Sequence, residues 1–424
     1  MLTRLMVKNF KSIGEPGIDI ELRPLTIFVG PNGGGKSSIL EALAFLAQNV
    51  GQNPDKLIVA GELVSYPLLA SVAHRLEQDR HITAGLFSDV SEVGYRLSLR
   101  PDTRESREQL LNVKGDTLLT HRMSHGFGPS IIESLEYDGK SISADQDSTL
   151  HKTLAAIPSY PPLLSSLPYT EDLWPAYDGA LPLKQASITV DKVESELGRN
   201  VFLVSSLRGE VKPQEGAGED ASWVGRECQH LLVILSRIAS PAYEDKNARI
   251  QKWSSEFGLS KVWAGVTASN AVSGQYYELD LNTVLNLSSA SQGSRQALGM
   301  IVQLFWAKPG SIVMIEEPEL SLHPEAQDKL PRLFADAVKD GKQVMITTHS
   351  HYLLLALTEA VKAGLKAEDI AVYEVKKEPE TGTTAKRLPI SKEGYIRDWV
   401  SSFAEVDQKL LQRRTRRVLA KGSK

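Results

Sequence analysis

Lys36 and Ser37 end the run Gly30-Pro31-Asn32-Gly33-Gly34-Gly35-Lys36-Ser37, which fits the pattern G-x-x-x-x-G-K-[ST]. Residues of these types at this spacing bind phosphate. Glycines let successive backbone N–H groups converge on phosphate oxygens, the lysine reaches the β- and γ-phosphates, and the hydroxyl ligates Mg²⁺. The expected nucleotide contacts are Asn32, Gly33, Gly34, Gly35, Lys36, Ser37 and Ser38. A second cluster, Glu316-Glu317-Pro318-Glu319, offers carboxylates: Glu316 to hold Mg²⁺ together with Ser37, and Glu317 to polarise an attacking water as general base. His349, in Thr347-Thr348-His349-Ser350, is a candidate to sit beside a γ-phosphate. Ser291 and Gly293, in Ser291-Gln292-Gly293-Ser294, can donate to a second phosphate from a helix N-terminus. Taken singly these are a glycine turn, a solvated acidic turn, an ordinary histidine and a helix cap; together they describe nucleotide hydrolysis.

Periodicity predicts the elements that hold these groups. Leu25-Thr26-Ile27-Phe28-Val29 is a continuous apolar run between Pro24 and Gly30, as in a buried strand. Apolar residues at Ile39, Leu40, Leu43, Ala44 and Leu46 follow at helical spacing, so the glycine loop joins a strand to a helix. Residues 3–10 and 17–22 predict short strands. Ile312 to Ile315 and Val344 to Thr347 predict two more buried strands, with a helix through Leu298 and Phe305 before the first and a helix from Pro324 to Lys339 between them. The acidic and histidine clusters therefore follow carboxyl ends of buried strands, where open α/β sheets bind ligands. The middle of the chain is less regular: a helix is predicted near 60–78, strands within 81–100, a connector punctuated by prolines from Pro158 to Pro182, a strand at Val201 to Val204, and helices at 223–238 and 246–257. The expected class is α/β, a mixed sheet flanked by helices with an α+β insertion between the phosphate loop and Ser291. The expected boundaries are a split core at 1–50 and 285–375, an inserted lobe at 51–284, and a C-terminal helix and basic tail at 376–424.

Composition narrows the classes. With 424 residues, 42% hydrophobic and 24% charged, the chain is of ordinary globular type, which excludes disordered, collagenous and membrane-spanning classes. The single cysteine, Cys228, excludes an internal disulfide and a thiolate metal site and points to a reducing compartment. With no apolar run of about 18 residues and no signal-like start, the expected location is cytoplasmic, without membrane contact. The balance of 48 basic and 52 acidic residues gives a net charge of −4, which argues against coating nucleic acid by bulk charge.

The order of motifs resembles an ABC-type P-loop ATPase: Walker A at 30–37, a signature around Ser291-Gln292-Gly293, Walker B at Ile312 to Glu317 and a switch histidine at His349. Val7-Lys8-Asn9-Phe10-Lys11-Ser12 and Glu316-Glu317-Pro318-Glu319-Leu320-Ser321-Leu322-His323-Pro324 are similar to the AAA-15/AAA-21 group, which contains OLD-family ATPases and is related to SMC and RecF-type proteins. Phe202 to Arg208 resembles a strand-then-arginine element of the same proteins. The resemblance implies ATP and Mg²⁺ as cofactors, and a homodimer or higher homo-oligomer in which two ATP molecules lie between the Walker A of one subunit and the signature serine of the other. It implies coupling of this switch to a nucleic-acid transaction, or to a separately encoded effector, a nuclease or toxin, in anti-phage defence. Alternatives are a nucleotide-sensing scaffold with little turnover and the motor subunit of a transporter.

The chain departs from the group in several places. Glu316 stands where many ABC proteins have aspartate; the signature reads Ala290-Ser291-Gln292-Gly293-Ser294; and Gln48 and Gln52 are the candidates for the loop glutamine. No long heptad arm lies between 51 and 280. OLD nucleases carry a Toprim nuclease domain after the ATPase, and the 75 residues after His349 are too few for it, so the expectation is an ATPase without nuclease chemistry.

Trp399, Phe403, Val406 and Leu410 are spaced for one helix face. The segment 409–424 holds Lys409, Arg413, Arg414, Arg416, Arg417, Lys421 and Lys424 and no acid. It carries +7 of a net −4, so the remaining chain is at −11. The segment is either a solvated tail or a contact for DNA or an acidic partner. If it binds DNA, a chain lacking 409–424 binds more weakly and with a flatter dependence on salt; unchanged affinity and slope exclude that role.

Overall fold

The computed structural model describes residues 1–49, 58–88, 200–208, 211–216 and 221–397, together with the backbone of strands between 94 and 143. Strands β1 (Leu2–Lys8), β2 (Ile18–Glu21) and β3 (Leu25–Val29) lead into helix α1 (Lys36–Asn49). Six strands follow: β4 (Ile82–Ser88), β5 (Gly94–Leu99), β6 (Arg107–Val113), β7 (Asp116–Ser124), β8 (Ile131–Tyr137) and β9 (Lys140–Ser143). Next come β10 (Val201–Val204), β11 (Glu215–Gly216), α2 (Leu231–Ile238), α3 (Glu244–Glu256) and the strands β12 (Ser260–Val266), β13 (Ala271–Glu278) and β14 (Thr283–Asn286). The chain continues through α4 (Gln292–Trp306), β15 (Ile312–Glu316), α5 (Pro324–Gln327), α6 (Leu330–Lys339), β16 (Gln343–Thr348), α7 (His351–Leu355), α8 (Leu357–Lys362), β17 (Ile370–Glu378) and β18 (Gly382–Leu388).

Every residue of β3 is buried because each face of the strand meets a different layer. Leu25, Ile27 and Val29 join the helices α2, α3, α4 and α6 in one core, whereas Phe28 joins α1, β1, β2 and β4 in a second. The same alternation divides Val313 and Ile315 from Ile312 and Met314, and Val344 and Ile346 from Met345. The central sheet has the order β10-β15-β16-β3-β17-β18, parallel except for the antiparallel edge strand β18. It is a mixed sheet flanked by helices, the α/β class of a P-loop NTPase. The second sheet, β2-β1-β4-β5-β6-β7-β8-β9, is antiparallel, and α1 is packed between the two. The buried amide of Gln343 ties them together, accepting from Leu2 N at 3.0 Å and donating to Leu2 O at 2.8 Å.

Register places the site. Val29 lies opposite Thr348 on one side of β16, and Glu316 lies opposite Thr347 on the other. Gly30, Glu317 and His349 therefore leave the sheet from three neighbouring strand ends.

Several predicted elements take another form. The segment 60–78 is not a helix but two short 3-10 turns, Leu69–Val72 and His74–Leu76. Pro67 interrupts a helical ladder, Arg75 and Leu76 have positive φ, and the backbone bonds outward instead, with Lys11 N donating to Val72 O and His74 N to Asn9 O. The helix expected from 223 begins at Leu231, because Gly225 and Cys228 take left-handed backbone. The helix from Pro324 to Lys339 is broken into α5 and α6, since Pro331 fits only within a first turn. The core sheet also takes in Val201–Val204 and runs on through Gly382–Leu388, past the boundaries expected at 284 and 375. The proline-punctuated connector, the helix face at Trp399 and the basic tail lie outside the described residues. Among the described residues no helix is long and apolar enough to cross a membrane.

Helix α4 meets the loop before α2 closely: a Cβ on Gly299 would lie 2.5 Å from Cys228 Sγ. Burial pushes the Cys228 thiol up to about 12, so it stays protonated and unreactive near neutral pH. Gly299→Ala forces the two elements apart. The expected result is a loss of about 1–3 kcal/mol in denaturant unfolding, with Cys228, silent towards maleimide in the parent protein, becoming alkylated.

Candidate functional site

The phosphate loop takes its shape from what stands behind it. Gly33 and Gly35 have φ of +76° and +100°. A Cβ on Gly35 would fall 1.9 Å from Thr383 Oγ1 and 2.7 Å from Ser12 Oγ, whereas Gly33 has nothing within 4 Å. The loop is thus wedged on one side by β18 and the turn after β1, and open on the other. Hydroxyls line the wedge: Thr383 Oγ1 donates to Ser12 Oγ at 2.8 Å and contacts Gly34 O at 3.2 Å, and Ser12 Oγ donates to Ser38 Oγ at 2.8 Å. Ser38 is accordingly buried and turned towards Ser12, while Asn32, Gly33 and Ser37 are exposed and Gly34 is buried. Lys36 is buried and donates to the carbonyls of Gly30 and Pro31 at 3.0 Å each. Burial lowers its pKa, and the charges of Glu317 and Glu319 oppose that shift.

Across the neighbouring strand ends, Glu316 is buried at the end of β15 and Glu317 follows it in left-handed backbone, φ +44°. That conformation costs about 1–2 kcal/mol in a residue with a Cβ and is held from both sides. Glu317 N donates to Thr347 O at 2.9 Å, and the buried guanidinium of Arg208 donates to Glu316 O at 3.2 Å and Glu317 O at 3.1 Å. Burial pulls the Arg208 pKa down, against the charges of Glu319, Glu316 and Glu317 nearby. Glu319 is 4% exposed, and its Oε1 accepts from Thr348 Oγ1 at 2.7 Å and His349 N at 2.9 Å. His349 Nδ1 stands 3.5 Å from Glu317 Oε1 and 3.7 Å from Glu319 Oε1.

Ser291 and Gly293 belong to a different cluster. Ser291 is exposed and caps α4, its Oγ accepting from Ser294 N at 3.2 Å. Gly293 is buried, and a Cβ there would meet Ser321 O at 2.5 Å, so the first turn of α4 lies against the loop that follows Glu319. Gln327 sews that loop to the turn after His349, donating to Leu322 O at 2.9 Å and accepting from Ser350 Oγ at 2.5 Å.

These residues suit a nucleotide with a hard divalent cation. The open cradle at Gly33, the lysine resting on replaceable carbonyls and the exposed Ser37 at a helix N-terminus fit a polyphosphate. Among the described residues no group of three or more His, Cys, Asp or Glu side chains is gathered for a metal. A cation held by the Ser37 hydroxyl and the Glu316 carboxylate would draw its remaining oxygens from phosphate and water, as Mg²⁺ does.

Motif reading missed a hub behind the site. Glu41, on α1, accepts from Tyr66 OH at 3.1 Å and Arg226 Nη2 at 3.1 Å and pairs with Lys11, whose ammonium lies 5.3 Å from the centroid of the Tyr66 ring. Burial, and then Glu41, push the Tyr66 phenol upward. Lys11 in Phe10-Lys11-Ser12 was the available signal. Gln48 is occupied elsewhere, donating to Ile58 O at 2.9 Å and accepting from Val64 N at 3.1 Å, and Gln52 lies outside the described residues.

The chain is 23% identical over 359 residues to an OLD nuclease of Thermus scotoductus, an alignment covering 82% of this chain and 59% of that protein, so it spans about three fifths of that relative. It is 50% identical over 46 residues to exonuclease subunit 2 of Enterobacteria phage T4, covering 10% of this chain and 8% of that one. Solved structures aligned with it include an SMC head bound to the C-winged helix domain of ScpA, with a TM-score of 0.48, 14% identity, and coverage of 92% of this chain and 98% of the other. Another is the SMC head domain from Thermotoga maritima, with a TM-score of 0.41, 13% identity, and coverage of 92% and 99%. The family model described as AAA ATPase domain matches residues 1–93 and 228–354, which together are more than half of the sequence and carry the phosphate loop, Ser291, Glu316, Glu317 and His349. The chain belongs to the AAA ATPase domain family.

Proposed function

We propose that this chain is an ATP-driven association switch, in which two copies close head to tail around two ATP molecules and hydrolysis reopens them. The observation that carries this reading is the placement of two groups of residues. Gly30 at the start of the phosphate loop, Glu317 and His349 follow three neighbouring strand ends, while Ser291 is exposed at the N-terminus of α4, on a surface that a second copy could reach. On ATP binding, Lys36 leaves the carbonyls of Gly30 and Pro31 for the β- and γ-phosphates, and the backbone N–H groups of residues 33–37 surround the oxygens. Ser37 and Glu316 are the residues that would hold Mg²⁺, which when bound would supply positive charge to the phosphates. Glu317 Oε accepts the proton of the attacking water, and His349 steadies the γ-phosphate from the adjacent strand end. The closed dimer lasts while the γ-phosphate bridges the two subunits and opens once it is cleaved. The output is a nucleic-acid transaction or control of a separate effector. Support for that part is the similarity to an OLD nuclease over most of this chain.

Glu317→Gln tests the reading. The expected outcome is turnover reduced by about 100-fold or more with ATP-dependent dimer accumulating in light scattering, and Lys36→Ala losing both ATP binding and the dimer. Equal turnover in Glu317→Gln and the parent removes Glu317 from the role of base. A parent that dimerises with ATP but does not hydrolyse it is a nucleotide-sensing scaffold instead.

A further inference from the structure

We propose that Thr383 is a positioning residue of the phosphate loop: its hydroxyl holds the carbonyl of Gly34 in the wedge and so keeps the N–H of Gly35 turned to the side that receives phosphate. This rests on the reading above that the loop binds ATP.

The loop needs such a hold because of its composition. Gly33, Gly34 and Gly35 are consecutive, and with no Cβ on either side a peptide plane between two glycines turns over at little cost. A trans peptide points its C=O and its N–H in opposite directions. With Gly34 O towards Thr383 in the wedge, Gly35 N–H faces the open side, where a Cβ on Gly33 would meet nothing within 4 Å. Turned over, the same peptide would present a carbonyl oxygen to an anion and withdraw a donor. The amide before it is no substitute, because Gly34 N donates to Pro31 O at 3.1 Å within the loop.

Thr383 is suited to this task. It is buried on β18, its N–H donates to Ser12 O at 2.7 Å, and a β-branched side chain in a strand has few rotamers, so the hydroxyl is aimed by the sheet. Its Oγ1 lies 3.2 Å from Gly34 O and 2.8 Å from Ser12 Oγ, which lies 2.8 Å from Ser38 Oγ. Each hydroxyl carries one proton and rotates to suit its neighbours. Ordered from Ser38 to Ser12 to Thr383 to Gly34 O, every one of these contacts is a hydrogen bond; in the reverse order the chain ends on Ser38 and leaves Gly34 O without its proton. Lys36 holds the carbonyls of Gly30 and Pro31 and must leave them to reach a phosphate, whereas Thr383, fixed in a strand, keeps its hold on Gly34 throughout.

The test is Thr383→Val in the full-length protein, which keeps the branched shape and removes the hydroxyl. Gly33-Gly34 and Gly34-Gly35 are the sole glycine pairs in the sequence. In protein labelled with glycine carrying ¹⁵N and a ¹³C carbonyl, a spectrum that correlates each amide with the preceding carbonyl therefore reports on these two peptides. The Gly34-Gly35 signal is assigned in Gly33→Ala, where it alone remains. Without nucleotide it is single in the parent, and in Thr383→Val it broadens or doubles as the peptide turns over. Affinity for ATP, measured by calorimetry, falls about tenfold in Thr383→Val, as for the loss of one hydrogen bond to a charged group. Thr383→Ser, which keeps the hydroxyl, restores the single signal and an affinity within about threefold of the parent. An unchanged Gly34-Gly35 signal in Thr383→Val overturns the proposal, as does a signal already doubled in the parent or a loss of affinity that Thr383→Ser does not recover. The signal is read without ATP, so it decides the matter even if the parent binds no nucleotide, an outcome that would count against the function proposed above. If Thr383→Val does not fold, Thr383→Cys puts a weak S–H donor in the same place. It should move the same signal, and an unmoved signal there overturns the proposal equally.

Discussion

The parallel register that sets Val29 beside Thr348 and Glu316 beside Thr347 lets three loops emerge from one end of a sheet buried on both faces. A parallel sheet of this kind cannot slip by one residue without turning its apolar set to the wrong layer. The relative heights of the phosphate loop, the acidic turn and the histidine turn are therefore fixed by packing far from any of them. Phe28, Met314 and Met345 face α1 while their neighbours face α4 and α6, and this alternation locks the strand ends in place.

The polar groups around the site follow from the same burial. Loops leaving a buried sheet expose carbonyls that water cannot reach, and long side chains satisfy them. Arg208 covers Glu316 and Glu317, Gln327 joins Leu322 to Ser350, and at the far end of β16 Gln343 covers both backbone groups of Leu2. In each case one side chain joins two segments distant in sequence, so a bond needed for solvation also sets geometry. The left-handed backbone at Glu317 persists because one such bond, from Arg208, and one backbone bond to Thr347 O hold it.

What was legible in the sequence was local. The run from Gly30 to Ser37, the apolar stretches on either side, and the acidic and histidine turns are contiguous patterns, and periodicity located their strands and helices. What was illegible depends on partners brought from afar. Glu41 meets Lys11, Tyr66 and Arg226 from four separate parts of the chain, and nothing in the neighbourhood of any one announces the others. The helix expected near 60–78 does not form, because backbone groups there bond to Asn9 and Lys11, a competition that propensity does not register. Glu319 was in plain view within an acidic triplet, but only its burial against Thr348 separates it from a solvated side chain.

The wedge behind the phosphate loop bears on how a ligand is received. Thr383 and Ser12 fill the space into which Gly35 would otherwise recoil, and Val375 O closes off Gly30. The loop backbone is thus already shaped before any anion arrives, and Lys36 is the part left to rearrange. In the nucleotide complex proposed above, a backbone already fixed by packing would have little ordering entropy left to lose, and admission would then be chiefly an exchange of partners by a single ammonium group.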